Sequence, residues 1–524
     1  MWQVLWTVFL SFFNFTFQHV SYIICNVLLL RRLSFMSTFS DLFSLFIKSR
    51  EINVSALTAY CNLDRSTMYK LINGKRTPTS KELVRQIASF MNLNPVETQE
   101  LVDAYLLTKV GWEAYYRRKN VLDFILNFDE LRLDSAFPAS SSQKFRPSAK
   151  SMESSSVPLT SQLHLSAALQ QMLLESTSLG SDSIRIFAQP EHLQTLNVAN
   201  FLANYQAHIK IEHILCINNN KSLIRSQRNY NIQCLKRMVP LYGTLHDYQP
   251  YFYYDNVNSH FNNLNILPCM FIAGTSAILC SSDLKEGILF SNKDIVELLK
   301  NRFDEMLKET SPLTQEFSTG LNFHLKNFSS IYTSSQEVYS LSAEACLIPF
   351  FTPDLVDKYM RKDFPDRSDM IADLNNYIKA FSSSNLHIYF SKDGILNFLM
   401  TGYIREIPDS IYTPPVDMAD RLRLLRKLSE HINGKWDIRM MKGPMDKFPL
   451  PLHLSITSNY GYMMFSRCNK ELVYIMLKEQ NILNSFYDFA CSLEENEMLC
   501  TYEETASFLR SVVEQNTLRA SSLS

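Results

Sequence analysis

Apolar residues recur at helical spacing through residues 36–133, where Gly and Pro are few and lie at the boundaries of the predicted elements. Leu42, Leu45 and Phe46 fall on one face of an early helix, and Phe124 and Phe128 fall on one face of a late one. Side chains three and four residues apart share a helix face, so this spacing is typical of amphipathic helices. The pattern predicts an all-helical N-terminal region.

A serine-rich stretch interrupts the pattern over residues 135–161. It contains ten serines and three prolines. A run of this composition cannot bury enough apolar surface to compensate for the entropy lost on ordering. It therefore predicts a flexible linker, and residues 111–134 before it are predicted to form a helical extension of the N-terminal domain.

Short runs of β-branched, aromatic and apolar residues follow the linker, and helical patterns such as residues 294–307 separate them. These runs occupy residues 184–187, 209–217, 251–254, 270–273 and 277–280. Strands that alternate with helices are typical of mixed folds. The pattern predicts an α/β or α+β domain over residues 162–313.

A second region of the same kind follows over residues 314–515. It contains predicted strands at residues 387–390, 437–441, 452–456 and 462–465, and predicted helices at residues 416–432, 470–489 and 502–514. The paired runs 269–281 and 452–466 each resemble a hairpin followed by a helix. The sequence thus predicts a multidomain protein with an all-α N-terminal domain and a large α/β (or α+β) C-terminal region, and a degenerate duplication is one interpretation of the repeated hairpin.

The first 35 residues allow three interpretations. Residues 1–30 contain no charged side chain, and Arg31 and Arg32 follow, which by length and charge favours a membrane segment through residues 2–30 with its C-terminal end inside. A buried helix is a second interpretation. We favour a third, in which translation starts at Met36, because two arginines can be encoded by AGG-AGG, a bacterial ribosome-binding sequence. That start makes the protein cytoplasmic.

Charge and cysteine content narrow the function classes. The formal net charge of the 524-residue chain is -1, so any surface that binds nucleic acid must be a local basic patch. The ten cysteines form no C-x-x-C pair, which indicates neither a zinc site nor a disulfide framework. Isolated cysteines in apolar runs are typical of reduced core residues in a cytosolic protein.

Residues 54–93 contain a series of helix start and stop signals. Asn62 and Leu63 form a predicted turn, and Asp64 is a predicted N-cap of the helix that follows it. Gly74 is predicted to end that helix, and Thr79 to cap the next one. The apolar positions inside these helices predict one shared core: Leu57 and Cys61, then Met68, Leu71 and Ile72, then Leu83, Ile87 and Phe90.

This arrangement resembles the lambda-repressor-like, or Xre, family of helix-turn-helix regulators. The matching segments are the turn at residues 62–64, the polar run at 65–67, the loop at 73–79 and the helix at 83–93. The resemblance implies that the helix after Asp64 enters the major groove of double-stranded DNA, that the protein acts as a homodimer, and that it is a bacterial transcription regulator. Two positions depart from the family: Asn62 replaces a turn Gly, and Val54 replaces a Gln that braces a backbone contact.

Polar side chains cluster on the predicted recognition helix and on the loop after it. Arg and Lys can donate to guanine, Ser and Thr can contact several bases, and loop cations can contact phosphate. Residues 36–76 contain six Lys or Arg against three acids. The predicted DNA-binding residues are Arg65, Ser66, Thr67, Tyr69 and Lys70 on the helix, and Asn73, Lys75 and Arg76 on the loop.

Other functions have weaker support from the sequence. Two H-x-K triplets, at residues 208–210 and 324–326, lack the Asp and Gly-Ser that phospholipase-D-like enzymes need, and no P-loop, G-x-S-x-G or H-E-x-x-H occurs. We therefore predict no catalytic residue, metal or cofactor. The C-terminal region is interpreted as a sensory or oligomerisation module for an unknown small-molecule or protein effector. A protein-interaction adaptor on the helix-turn-helix scaffold is the alternative function, and an enzyme fused to a DNA-binding domain is the third.

Overall fold

The structure of the chain is a computed structural model. It describes residues 39–131, 155–178, 183–203, 208–218, 230–244, 246–263, 265–317, 337–407, 410–432, 434–467 and 471–523. The predictions for residues 1–35, for most of the serine-rich linker and for the triplet at 324–326 lie outside these residues. Contacts divide the chain into two compact units, residues 1–116 and residues 117–524.

Residues 39–131 contain only helices and turns, as the apolar spacing predicts. The helices are α1 (Phe39–Ser49), α2 (Val54–Tyr60), α3 (Arg65–Ile72), α4 (Lys81–Phe90), α5 (Pro95–Val110), α6 (Trp112–Leu126) and α7 (Phe128–Leu131). The N-terminal unit has its own core, in which Phe39 and Phe43 of α1 pack with Met68 of α3, Ile87 of α4 and Leu101 of α5. Each of these helices buries one face, which is the usual source of stability for short helices.

The C-terminal unit begins within α6 and contains two mixed β-sheets. Its first half contains, in chain order, β1 (Ser156–Leu159), α8 (Gln162–Ser178), β2 (Ser183–Phe187), α9 (Pro190–Thr195), α10 (Val198–Ala203), β3 (Lys210–Ile217), α11 (Tyr230–Tyr242), β4 (Asp247–Tyr254), β5 (Cys269–Ala273), β6 (Ser276–Cys280), β7 (Gly287–Phe290), α12 (Lys293–Lys308) and β8 (Ser311–Pro312). The α/β region that the sequence predicts is therefore present.

The second half repeats this mixture of elements. It contains β9 (Thr314–Phe317), β10 (Glu337–Ser342), α13 (Pro353–Tyr359), α14 (Arg367–Ser383), β11 (Asn385–Phe390), α15 (Lys392–Thr401), α16 (Met418–Glu430), β12 (Asp437–Met440), β13 (His453–Ile456), β14 (Gly461–Ser466), β15 (Leu472–Leu477), α17 (Gln480–Cys491) and α18 (Tyr502–Leu523).

The two sheets share one topology. The first has the order β1-β7-β6-β5-β2-β3-β4-β8, and the second has the order β9-β15-β14-β13-β10-β11-β12. In each sheet three consecutive strands are parallel, and the other neighbouring strands of the shared order pair antiparallel. Strands β1 to β7 thus correspond one by one to β9 to β15. The duplication suggested by the two hairpins is present at the level of topology.

The two halves share a core, so the two predicted α/β domains lie in one compact unit. Buried side chains of both sheets form a single cluster that includes Ile184 of β2 and Leu341 of β10. Phe124 of α6 and Phe128 of α7 belong to this cluster, and the Phe124 ring lies 5.4 Å from the ring of Phe486 on α17. Burial of these rings explains why the predicted helical extension belongs to the C-terminal unit from residue 117 onward.

Three sequence predictions for the C-terminal region are wrong in detail. Ser156–Leu159 forms an edge strand antiparallel to β7, so the predicted linker is too long at its C-terminal end. The predicted helix at residues 470–489 is strand β15 followed by α17, because the run from Leu472 to Leu477 is buried between two neighbouring strands. A third strand, β7 or β15, therefore separates each predicted hairpin from its helix.

A buried ion pair joins elements of the two halves. Arg467, at the end of β14, donates to Glu316 of β9 at 2.5 Å and to the backbone carbonyl of Tyr242 on α11 at 3.0 Å. Both charged side chains are almost fully buried. Burial raises the pKa of the Glu316 carboxyl to about 7, although the nearby guanidinium opposes this shift.

The parallel strands of the second sheet hold a histidine between two carboxylates. His387 on β11 lies 2.6 Å from Glu337 of β10 through Nε2 and 3.0 Å from Asp437 of β12 through Nδ1. The Tyr339 ring stacks on the imidazole at 4.2 Å. Burial alone would lower the pKa of His387, but the hydrogen bonds to Asp437 and Glu337 outweigh it and raise the pKa above its usual value.

Among the described residues, no helix combines the length and the apolar composition that crossing a lipid bilayer requires.

The raised pKa of His387 predicts a pH-dependent stability difference. A raised folded-state pKa contributes stability that is complete below the unfolded pKa of about 6.5 and is lost as the pH rises through the folded value. The melting temperature of His387→Gln should therefore fall furthest below that of the wild type near pH 6, and the gap should narrow above neutral pH. Thermal melting from pH 5.5 to 9 checks this. The exposed His164 on α8 supplies the control, His164→Gln, and a gap for His387→Gln that widens as pH rises would contradict the assignment.

Candidate nucleic-acid interface

The start of α3 is fixed by its N-cap, as the sequence predicts. The Asp64 carboxylate accepts a hydrogen bond from the backbone N–H of Thr67 at 2.8 Å and another from the Thr67 hydroxyl at 2.6 Å. These hydrogen bonds, the hydroxyl one first, hold the pKa of the Asp64 carboxyl below its usual range. An N-cap of this kind satisfies donors that the first turn of a helix leaves without partners.

The turn before α3 contains Asn62 in the left-handed region, with φ of 50°. Asn reaches this region more easily than most residues because its short side chain can form local hydrogen bonds. Asn62 therefore adopts the left-handed backbone conformation that the sequence analysis expects at this turn. Residues 61–64 connect α2 to α3, and the two helices are in contact.

The end of α3 is set by Gly74. Its φ is +69°, and its backbone N–H donates to the carbonyl of Leu71 at 3.2 Å. A Cβ atom at this position would lie 2.8 Å from the hydroxyl of Ser40 on α1, so the site excludes a side chain on two grounds. The neighbouring Ser44 donates to the Ile72 carbonyl at 3.0 Å, which holds the C-terminal end of α3 against α1.

The two sides of α3 differ sharply in exposure. Met68 and Leu71 are buried, with 0% and 1% of their surface accessible, and they pack in the N-terminal core. On the other side, Arg65, Ser66, Tyr69 and Lys70 are exposed. The helix is thus attached to the unit through its apolar side, and its polar side faces solvent.

Side chains on the exposed surface are partly ordered by each other. The Arg65 guanidinium lies 5.7 Å from the centroid of the Tyr69 ring, in a cation–π arrangement. Arg76, from the loop after α3, donates to the Thr67 hydroxyl at 3.3 Å, so a loop cation lies beside the first turn of the helix. In the described part of the chain, Arg65, Lys70 and Lys75 form no ion pair with an acid.

The structure brings the eight predicted residues onto one contiguous stretch of surface. Seven of them are exposed, and Thr67 is half-buried because it bonds the Asp64 cap and Arg76. We call this stretch the α3 surface: Arg65, Ser66, Thr67, Tyr69, Lys70, Asn73, Lys75 and Arg76. Four of these residues are cationic and none is acidic. The carboxylate of the neighbouring Asp64 accepts the capping hydrogen bond at the start of α3.

One capping prediction is wrong. Ser80, not Thr79, is the N-cap of α4, and its hydroxyl accepts from the backbone N–H of Leu83 at 3.2 Å. Either residue type can cap a helix, so the sequence signal was ambiguous by one position. The change moves the start of α4 without altering the α3 surface.

Sequence reasoning missed a clamp that supports this unit from behind α4. Arg50 donates to both oxygens of Glu97 at 2.7 Å, and to the carbonyls of Met91 and Asn92. Glu97 also forms a capping box with Asn94 at the start of α5. The spacing of Asn94 and Glu97 was a visible signal for the cap, whereas the long-range partner Arg50 left no mark in the local pattern.

Val54, which stands where the family often has Gln, is half-buried at the first position of α2. Ser55 and Ala56 beside it are exposed. The start of α2 therefore presents small side chains at Ser55 and Ala56.

The surface concavities that the described residues of the C-terminal unit form include a cleft and a groove. A cleft of about 420 Å³ lies between α7, the α9–α10 corner and α11, and carboxamides such as Gln194, Asn197 and Gln233 line it. A groove of about 720 Å³ runs between α16 and α18. No group of three or more His, Cys, Asp or Glu in the described part of the chain is arranged to hold a metal ion.

Comparisons with known proteins give no family for the chain. No protein-family model matches it, and no curated protein is similar to it. Among solved structures, it is similar to a phosphatidylserine synthase of Haemophilus influenzae Rd KW20, with 11% identity over 70% of this chain and 94% of that chain and a TM-score of 0.22. It is also similar to TrmBL2, an archaeal chromatin protein, with 12% identity over 43% and 78% of the two chains and a TM-score of 0.20. At these TM-scores neither similarity defines a fold or a function.

Proposed function

We propose that the protein is a sequence-specific DNA-binding transcription regulator of the lambda-repressor-like, or Xre, type, acting in the cytoplasm. The observation that supports this most is the α3 surface. A short helix is held in a core by Met68 and Leu71, and its opposite side exposes cationic and hydrogen-bonding side chains near the helix start. Those are the requirements for a helix that enters a major groove.

The expected DNA contacts of each residue on the α3 surface follow from its place on the helix or on the loop. Arg65, Ser66 and Tyr69 lie on the first turns of α3, the part of a recognition helix that approaches base edges. Lys75 and Arg76 follow in the loop, where phosphate contacts are usual, because a loop at the groove edge faces the backbone. The hydrogen bond from Arg76 to Thr67 keeps the two groups next to each other before DNA binds.

The C-terminal unit is proposed to be a sensory or oligomerisation module. Its carboxamide-lined cleft of about 420 Å³ has a volume in the range of small-molecule sites. Glu130 and Leu131, at the end of the helical segment that begins with α6, form part of the cleft wall. A ligand bound there would contact the segment that leads to the N-terminal unit along the chain.

A protein-interaction adaptor is the alternative function. Two observations favour it: Tyr60 and Tyr69 are exposed on α2 and α3, and Val54 cannot make the backbone contact of the family's Gln. Exposed aromatic side chains are common in protein interfaces. The two functions differ in whether affinity for DNA exists and depends on salt.

Removal of a loop cation should weaken binding to all DNA sequences alike. Lys75→Ala and Arg76→Ala should each lower the slope of log affinity against log salt by about one, because each phosphate contact releases roughly one counterion. Fluorescence anisotropy of the full-length protein on a labelled duplex from 50 to 300 mM salt, concentrations of the order used for such slopes, measures this. Lys109→Ala, which removes a cation of α5 from the same unit, is the matched control and should leave the slope unchanged. If Lys75→Ala and Arg76→Ala kept the slope of the wild type, the loop would lie away from DNA.

Replacement of a base-contacting side chain should alter specificity without altering the fold. Arg65→Ala or Ser66→Ala should cost about 1–3 kcal/mol of specific affinity where the side chain contacts a base, and relax preference at one or two base positions. Stability should change by under about 0.5 kcal/mol, since both positions are exposed. Competition binding against point-substituted duplexes and thermal melting report the two quantities.

Met68→Ala provides the contrast to these surface variants. It should cost about 2–5 kcal/mol of stability through a core cavity, and DNA binding should fall because α3 is no longer held in place. If Arg65→Ala and Ser66→Ala stayed folded and kept the base preference of the wild type, α3 would not contact bases. The protein-interaction adaptor would then be the better proposal.

A further inference from the structure

The groove between α16 and α18 carries a balanced set of charges. Arg426 and Glu430 lie on its α16 wall, and Arg510 and Glu514 lie on its α18 wall. All four side chains are exposed. None of them forms an ion pair or a side-chain hydrogen bond with any residue in the part of the chain that the structure describes. The groove thus holds two cations and two anions that the fold itself does not pair.

The groove-lining residues on α18 include a row spaced by four: Ala506, Arg510, Glu514 and Leu518. Residues four apart form a ridge along a helix surface, and such ridges are the commonest contact between helices in globular proteins. Leu518 exposes 71% of its surface, although it is a large apolar side chain at the end of the ridge. The ridge therefore combines small, charged and large apolar positions on one accessible line.

The order of residues in this ridge is self-complementary when two copies run antiparallel. A two-fold axis passing α18 at the level of residue 512 places position 510 opposite position 514 of the second copy, and position 506 opposite position 518. Arg510 then faces Glu514 of the partner copy twice, and each Leu518 faces the small Ala506 of the partner copy. A parallel arrangement would instead oppose like charges, which is unfavourable.

We propose that α18 and the groove beside it form the homodimer interface of this protein, with a second copy of α18 seated antiparallel in the groove. A contact of this kind is isologous, so the same patch serves both subunits and the assembly closes at two copies. Arg426 and Glu430 form the far wall of the groove and flank the seated helix. The proposal does not depend on DNA binding, because it concerns only the C-terminal unit.

A charge-swap experiment tests the interface. Sedimentation equilibrium of the full-length protein without DNA gives the dimer dissociation constant for the wild type, Arg510→Glu, Glu514→Arg and the double variant carrying both changes. Each single reversal should raise the constant by roughly tenfold or more, because it places like charges opposite each other at two symmetry-related positions. The double variant restores opposite charges and should return to within about threefold of the wild type.

Arg302→Glu on α12 is the control for charge reversal, since Arg302 is exposed on a helix surface and pairs locally with Glu305 at 3.0 Å. It should leave the dissociation constant unchanged. Circular dichroism confirms that every variant is folded. The proposal would be overturned by a wild type that stays monomeric or by single reversals that leave the dissociation constant unchanged. It would also be overturned by a double variant whose dissociation constant does not return toward that of the wild type.

Discussion

The attachment of α3 through one buried side is the constraint on which the candidate site depends. Met68 and Leu71 fix the rotation of the helix about its axis, and Asp64 and Gly74 fix where it begins and ends. With the rotation and both ends set, the exposed residues must share one surface with the loop that follows. A different rotation would bury Arg65 or Lys70 at a cost that the core could not compensate, since unpaired buried charges are strongly unfavourable.

The C-terminal unit contains two sheets that share one strand order. Neither set of seven strands would bury both of its faces alone, and the shared core, closed by Phe124 of α6 and Phe486 of α17, covers the inner side of both. The Arg467–Glu316 pair then fixes how β9 and β14 of the second half meet α11 of the first. Because α18 lies outside this shared core, on the second sheet's own cluster, its groove stays accessible to a partner.

Sequence alone predicted the local features best. The Asp64 cap, the left-handed Asn62, the glycine stop at Gly74 and the exposed side of α3 each follow from residues close together in the chain. Features set by distant partners could not be predicted. The apolar content of β15 fits a helix as well as a strand, and only its two neighbouring strands decide between them. Edge strand β1 lies in a run whose serines suggest disorder. The Arg50–Glu97 ion pair likewise depends on a contact that no local pattern records. The two predicted hairpins indicated a duplication, but they did not give the order of the other strands in either sheet.

Selection of duplexes from a random DNA pool by the full-length protein tests the central claim most directly. If the α3 surface of each subunit contacts base edges, repeated rounds should enrich one motif, arranged as two inverted half-sites whose centres are about 34 Å apart or a multiple of that distance. Enrichment of no motif by folded protein, at a salt concentration where non-specific binding is weak, would contradict the account.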